Sequence, residues 1–189
     1  MFTTLTYYNQ NARSYTAATQ TLDFRLIQDR FLSHMPRSAR ILDFGCGSGR
    51  DTRYFLNHGF QVDAVDGSSE MCRIAGEYTG IPIRQMLFQE LDTVDTYDGI
   101  WACASILHLS RMELSDVFRR MAVALRKNGM IYASFKYGSE ALRENETGGI
   151  SRILQNRILQ NSSDVFLNWS FRKCGSPGMF VPKGERKDG

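Results

Sequence analysis

Three short stretches concentrate the residues able to hold a nucleotide-like molecule and work on it. Gly45-x-Gly47-x-Gly49 stands between an apolar run, Ile41-Leu42-Asp43-Phe44, and a segment of helical spacing. Glycines at a strand-to-helix turn let the backbone approach a ligand and expose the first N–H donors of the helix. Standing alone, such a loop is also an ordinary turn. Asp66 follows Gly49 by seventeen residues, at the end of the alternating run Phe60 to Val65. A carboxylate there can accept two hydrogen bonds from ribose hydroxyls. It can equally cap the next helix, a role open to Ser68 and Ser69 as well. His108, just past a fourth apolar run, is the histidine placed to take a proton. Ordering the pocket as a polar loop residue is its other reading. His34 and His58 fall near helix ends, where capping explains them.

The glycine spacing separates cofactors. A nicotinamide site expects G-x-G-x-x-G, with room for a pyrophosphate. Here the loop is G-x-G-x-G, and an acid, Asp43, comes two residues before its first glycine. That carboxylate suits an amino-acid ammonium group rather than a phosphate, an order that fits S-adenosylmethionine and not NAD. Methyl transfer from a sulfonium is an in-line displacement, so positioning would dominate, worth roughly 7–11 kcal/mol. A base is needed only where the accepting atom carries a proton.

The elements that must position these residues alternate. Residues 9–34 have a helical apolar stripe (Leu22, Phe24, Leu26, Ile27, Phe31, Leu32), ended by Pro36. A strand over 41–44, a helix closed by Gly59, a strand over 60–65 and a helix from Ser68 to about Gly80 follow. Residues 81–86 form a third strand, whose Pro82 predicts an edge position. A fourth strand over 97–104, a helix over 111–126 and a fifth strand over 130–135, entered through Asn128-Gly129, complete the series. This alternation predicts a parallel sheet covered on both faces, with ligands beyond the carboxyl ends of its strands.

Residues 38–137 resemble the class I S-adenosylmethionine-dependent methyltransferases. Ile41 to Arg50 resembles that family's first motif and Val65-Asp66-Gly67-Ser68 its second. Tyr97-Asp98-Gly99-Ile100-Trp101 with Leu107-His108 resembles its fourth strand and following loop. Tyr8-x-x-x-Ala12-x-x-Tyr15 is similar to the helical cover that precedes the first strand. The resemblance implies an α/β Rossmann-like fold with parallel strands in the order 3-2-1-4-5. It further implies that backbone groups of Gly45 and Gly47 line the methionyl end, with Asp43 ordering the loop and Cys46 and Gly49 also among the cofactor-binding residues. Asp66 would hold the ribose, and Gly67 and Met71 would lie along the adenine. The acid usual after strand three is absent: Leu87 and Phe88 stand there, leaving backbone groups of Phe88 or Gln89 to meet the adenine edge. Ala102 and Cys103 would pass near the sulfonium, Cys103 also being readable as a small packing residue. Tyr8 and Tyr15 would lid the site or simply pack the first helix.

The chain departs from that pattern after Gly138. Ile-Leu-Gln-Asn occurs at 153–156 and again at 158–161, and the end is rich in Gly, Pro and Lys. In a shifted reading frame, permitted codons for 148–157 and 178–189 can encode strings that resemble the usual endings of bacterial small-molecule methyltransferases. One reading is a frameshift near Gly148, with the C-terminal hairpin missing, the fifth strand left as an open edge and 148–189 a poorly ordered tail; the other is a native divergent tail that packs as a short helix around Ile150–Val165. The gene's codons would test this. The expected organisation is a methyltransferase domain over 1–147, with 1–36 as its helical cover.

Composition bounds the function. The 189 residues are 42% hydrophobic and 23% charged, which suits one globular domain. The net charge of +3 divides into +4 over 148–189 and −1 over 1–147, so the body lacks the basic face that nucleic acid needs. Four scattered cysteines predict free thiols in the cytoplasm, with no metal site. No secretory signal or membrane span is expected. These features point to methyl transfer onto a small molecule, with S-adenosylmethionine as cofactor. The alternative is a catalytically impaired cofactor-binding or interaction domain.

Overall fold

The computed structural model describes residues 2–137, 141–144, 150–154 and 164–168. Helix α1 (Phe2–Thr19) and helix α2 (Arg25–Leu32) precede strand β1 (Arg40–Phe44). Then come α3 (Arg50–Asn57), β2 (Gln61–Asp66), α4 (Ser69–Thr79), β3 (Arg84–Gln85) and β4 (Tyr97–Ala102). Helix α5 (Arg111–Ala124) leads into β5 (Leu125–Ser134). The sheet is parallel, as the alternation predicts, and its strands lie in the order β3-β2-β1-β4-β5 that the family resemblance implies.

Strand side chains alternate between two cores. Leu42, Phe44, Ile100 and Ile131 pack with Leu114, Val117 and Met121 of α5. On the other face Ile41, Trp101, Met130 and Tyr132 pack with Phe31 of α2 and Phe55 of α3. Trp101 stacks on Tyr132 at 3.9 Å between ring centroids, and both are fully buried. Such two-sided burial is what a parallel sheet requires.

Several boundaries differ from expectation. The helical region over 9–34 is two helices, because Asp23 turns the chain: its Oδ1 accepts the Arg25 backbone N–H at 3.1 Å. Strand β3 is only two residues long and forms the sheet edge, consistent with Pro82 lacking a donor. Asn128-Gly129 is not a turn before β5 but lies inside it, Asn128 at φ +67°, where the β4–β5 register shifts.

The open edge at β5 is corrected. Strand β9 (Asp164–Asn168) pairs antiparallel along Met130–Ser134 and satisfies that edge. A second sheet holds β6 (Lys136–Tyr137), β8 (Ile150–Leu154) and β7 (Ala141–Glu144) in that order. The backbone of 150–154 and 164–168 is thus regular strand; the rest of the expected poorly ordered tail lies outside the described residues.

Candidate active site

At the carboxyl ends of β1, β2 and β4 lies a cavity of about 240 Å³. Its floor starts at the glycine loop. Gly45 has φ +87°, and a Cβ there would stand 2.4 Å from Ser105 Cβ, so only glycine lets the β1 and β4 loops meet. The backbone N–H groups of Gly45 and Cys46 both donate to the Val65 carbonyl at 2.9 Å, tying this loop to β2.

Asp66 closes the floor. Its Oδ2 accepts from Gly47 N–H and its Oδ1 from Ser68 N–H, both at 2.9 Å. Burial pushes its pKa up, opposed by these backbone donors. The cap of α4 is Ser68, whose Oγ accepts from Met71 N–H at 3.2 Å. Asp66 is therefore not consumed as a cap, and each carboxylate oxygen retains accepting capacity.

Helix α1 roofs the cleft. Leu5 lies over Gly67, since a Cβ on that glycine would stand 2.8 Å from Leu5 Cδ2. Tyr8 Oη and His108 Nε2 are hydrogen-bonded at 3.1 Å, which joins the roof to the turn after β4. Burial raises the Tyr8 pKa, with further rises from Tyr15 and Asp66, so its hydroxyl keeps its proton. Tyr15 meets Tyr8 edge-on at 5.1 Å and reaches Gly47. Asn9 Oδ1 accepts from Ser68 Oγ at 2.7 Å and from Glu70 N–H at 3.3 Å, docking α1 on the start of α4.

Of the expected site residues, Tyr8, Tyr15, Gly45, Cys46, Gly47, Asp66, Gly67, Met71, Leu87, Phe88, Cys103 and His108 line this cavity. Asp43, Gly49 and Ala102 do not. Asp43 is buried beneath the loop and accepts from Thr52 Oγ1 at 2.5 Å, so it meets the loop's scaffold rather than a ligand's ammonium. Gly49 has φ +77° and packs α3 against α4: a Cβ would stand 2.8 Å from Thr79 Cγ2. Ala102 is sealed inside the sheet. Burial, then Asp51, pushes the Cys103 thiol up to about 12, which keeps it neutral as wall material.

The sequence reading missed Arg50, Asp51 and Phe24, which also line the cavity. Asp51 accepts from Arg50 at 2.8 Å through both Nε and Nη2, from Gln28 Nε2 at 2.6 Å and from Trp101 Nε1 at 2.8 Å. An acid in the first turn of a helix reads as a partner of the helix dipole. Nothing in the local pattern ties it to Gln28 or Trp101, which come from distant segments. Among the described residues no group of three or more His, Cys, Asp or Glu is arranged to hold a metal ion. Nor is any of their helices long and apolar enough to cross a membrane.

A methyltransferase-domain family model matches residues 41–129, the stretch from β1 into β5. An uncharacterized methyltransferase of Alkaliphilus oremlandii is 24% identical over 184 residues, covering 90% of this chain and 82% of that one. One from Staphylococcus carnosus is 26% identical over 110 residues, 55% of this chain and 53% of its own length. Among solved structures, the Burkholderia thailandensis 1,6-didemethyltoxoflavin-N1-methyltransferase superposes with a TM-score of 0.63. It is 25% identical over 79% of this chain and 68% of that one, and holds 1,6-didemethyltoxoflavin and S-adenosylhomocysteine. The 3-2-1-4-5 sheet and these matches define a class I methyltransferase. Its cofactor is S-adenosylmethionine, and the cleft's glycine floor and buried acid at the β2 tip fit that molecule.

Proposed function

We propose that the protein methylates a small-molecule acceptor and that the cleft residues divide the work as the expected motifs imply. The observation that carries the reading is the Asp66 carboxylate, joined to the Gly47 N–H and still able to accept from a ribose. Gly67, Met71, Leu87 and Phe88 form the adenine wall, and the backbone of Gly45, Cys46 and Gly47 the methionyl floor. Asp43 keeps that floor in shape from below. Tyr8 and Tyr15 cover it, and Cys103 fills the wall beside it.

Bound S-adenosylmethionine supplies a methyl carbon on a sulfonium sulfur that leaves with the bonding pair. The chain's share is to align an acceptor with that carbon, exclude water under α1, and receive a proton where the acceptor carries one. His108 is the proton acceptor, with Tyr8 Oη fixing its ring.

A small acceptor is favoured by the cavity's size and by the balanced charge of residues 1–147. The Burkholderia enzyme's bound small molecule is in line with it. In this reading 1–147 is the methyltransferase domain and 1–36 its cover. The protein works in the cytoplasm without a metal and without binding nucleic acid or membrane. The free thiols of Cys46, Cys72 and Cys103 agree with that compartment. The test is two-stage: S-adenosylhomocysteine but not NADH should raise the melting temperature. Labelled S-adenosylmethionine incubated with fractionated metabolites should then pass its methyl to a low-molecular-weight fraction. Label found only in protein or nucleic acid would overturn the small-molecule assignment.

A further inference from the structure

The motifs leave one wall of the cleft without a role, the turn that joins α1 to α2. Leu22 and Phe24 of that turn line the cavity. Asp23 and Arg25 stay outside, their side chains 61% and 72% exposed, and pair with each other at 2.7 Å. The turn thus sorts its residues by polarity, with charge to solvent and apolar groups to the cleft. Leu22 is nevertheless 50% exposed, so much of an apolar side chain faces water at the cavity. Phe24 is one side chain removed from Cys103. Its ring lies 3.9 Å from Arg50 Cζ, and Arg50 Nη2 is 3.8 Å from Cys103 Sγ.

This wall offers no charge to a ligand. Among the described residues the charged side chains that line the cleft are Arg50, Asp51, Asp66 and Glu113. Arg50 and Asp51 neutralise each other in a two-point pair at 2.8 Å. Asp66 is the acid at the β2 tip, and Glu113 accepts from Gln89 Nε2 at 3.3 Å, which puts it at the adenine wall next to Phe88. The polar groups nearer Leu22 and Cys103 are committed within the chain. Thr19 Oγ1 donates to the Tyr15 carbonyl at 2.8 Å, Ser105 Oγ to the Phe44 carbonyl at 2.6 Å, and Ala104 N–H to Ser134 Oγ at 2.8 Å. An ion entering here would give up its hydration and meet no opposite charge in exchange. An apolar body would cover Leu22 and gain by leaving water.

We propose that the methyl acceptor is an uncharged molecule with an apolar face, and that Leu22 and Phe24 are the residues that select it. The proposal rests on the reading of this cleft as a site of methyl transfer to a small molecule, and it names the class of that molecule. The apolar face lies against the α1–α2 turn, and the accepting atom points past Cys103 toward the methyl carbon.

The test has a binding arm and a transfer arm, both on the full chain. For binding, calorimetry with S-adenosylhomocysteine present compares p-cresol, 4-methylbenzoate and 4-methylbenzylammonium, which share one ring and differ in charge. The wild-type protein should bind p-cresol about tenfold or more tightly than either ion. Leu22→Asp should weaken p-cresol by about tenfold, and Leu22→Met should leave it near wild type. Both variants should keep their affinity for S-adenosylhomocysteine. For transfer, label passed from S-adenosylmethionine to fractionated metabolites should enter products that extract into organic solvent from acidic, neutral and alkaline water alike. Leu22→Asp should raise KM for that fraction and leave kcat nearly constant. Equal binding of the probes, no binding of p-cresol, or wild-type behaviour of Leu22→Asp overturns the proposal. So does label in products that extract from acid alone or alkali alone, and so does a Leu22→Asp loss of the same size for p-cresol and S-adenosylhomocysteine. If p-cresol binds as expected and no label reaches any low-molecular-weight fraction, the small-molecule transfer reading falls and the Leu22–Phe24 pocket stands.

Discussion

The Gly47 backbone N–H donates to Asp66 Oδ2 at 2.9 Å, so the loop after β1 and the tip of β2 share one charge-assisted bond. The second oxygen is held by Ser68 N–H at the same distance. A carboxylate anchored at both oxygens cannot swing away, and what it presents to the cleft is fixed before any ligand arrives.

Asp66→Ala should therefore lower affinity for S-adenosylhomocysteine by at least about a hundredfold, the loss of two hydrogen bonds to a charged group. Titration calorimetry measures it, with a melting curve to show that the fold survives. Affinity within about threefold of wild type would remove Asp66 from the cofactor site.

The 3.1 Å contact between Tyr8 Oη and His108 Nε2 predicts a separation of binding from rate. His108→Asn should lower kcat by about 10²–10⁴ for an acceptor that carries a proton, a usual range for a general base. Cofactor affinity should stay nearly constant. Tyr8→Phe, which removes the hydroxyl that meets His108 and Tyr15, should cost about tenfold or less. Parallel losses in affinity and kcat for His108→Asn would make it a pocket-shaping residue.

Two glycines share a backbone conformation but not a neighbourhood. Gly59 has φ +80° with nothing within 4 Å of an added Cβ, whereas Gly45 at φ +87° faces Ser105. Gly59→Ala should cost about 1–2 kcal/mol, the left-handed strain alone. Gly45→Ala should add an overpacking penalty of about 1–3 kcal/mol or more. Urea unfolding of both variants checks this, and equal costs would mean that the β1 and β4 loops can part freely.

Asp43 should make stability fall with pH. Burial, then the Asp51 charge, raises its pKa well above the usual carboxylate value, against the Thr52 bond, which lowers it. The folded protein thus holds a proton that the unfolded chain has released. Its contribution is fully present below the unfolded pKa near 4 and is lost as pH rises toward the raised value. Relative to Asp43→Asn, the wild-type chain should lose up to about 1.4 kcal/mol per pH unit in that window. Melting temperatures of both proteins from pH 4 upward test it, and a constant difference would mean that Asp43 titrates normally.

The sequence by itself determined the strand–helix alternation and most of the cleft floor, whereas the order of the parallel sheet was implied by the family resemblance. The alternation and the floor rest on short-range signals: period-two and helical spacing, and glycines where a strand must turn into a helix. Gly45, Gly47 and Asp66 stand at strand tips, and strand tips can be read locally. Tertiary structure alone decided which acids face the cleft. Asp43 and Asp51 are both acids near the glycine loop, yet one is sealed under it and the other carries Arg50 at the cavity wall. Their partners, Thr52 for the first and Gln28 and Trp101 for the second, come together only when α2, α3 and β4 pack. The edge of β5 is the same kind of case. Residues 164–168 carry no motif, and what makes them a strand is the unpaired row of N–H and C=O groups on β5. Periodicity along one segment cannot report a partner from another, because that hydrogen bond exists only between them.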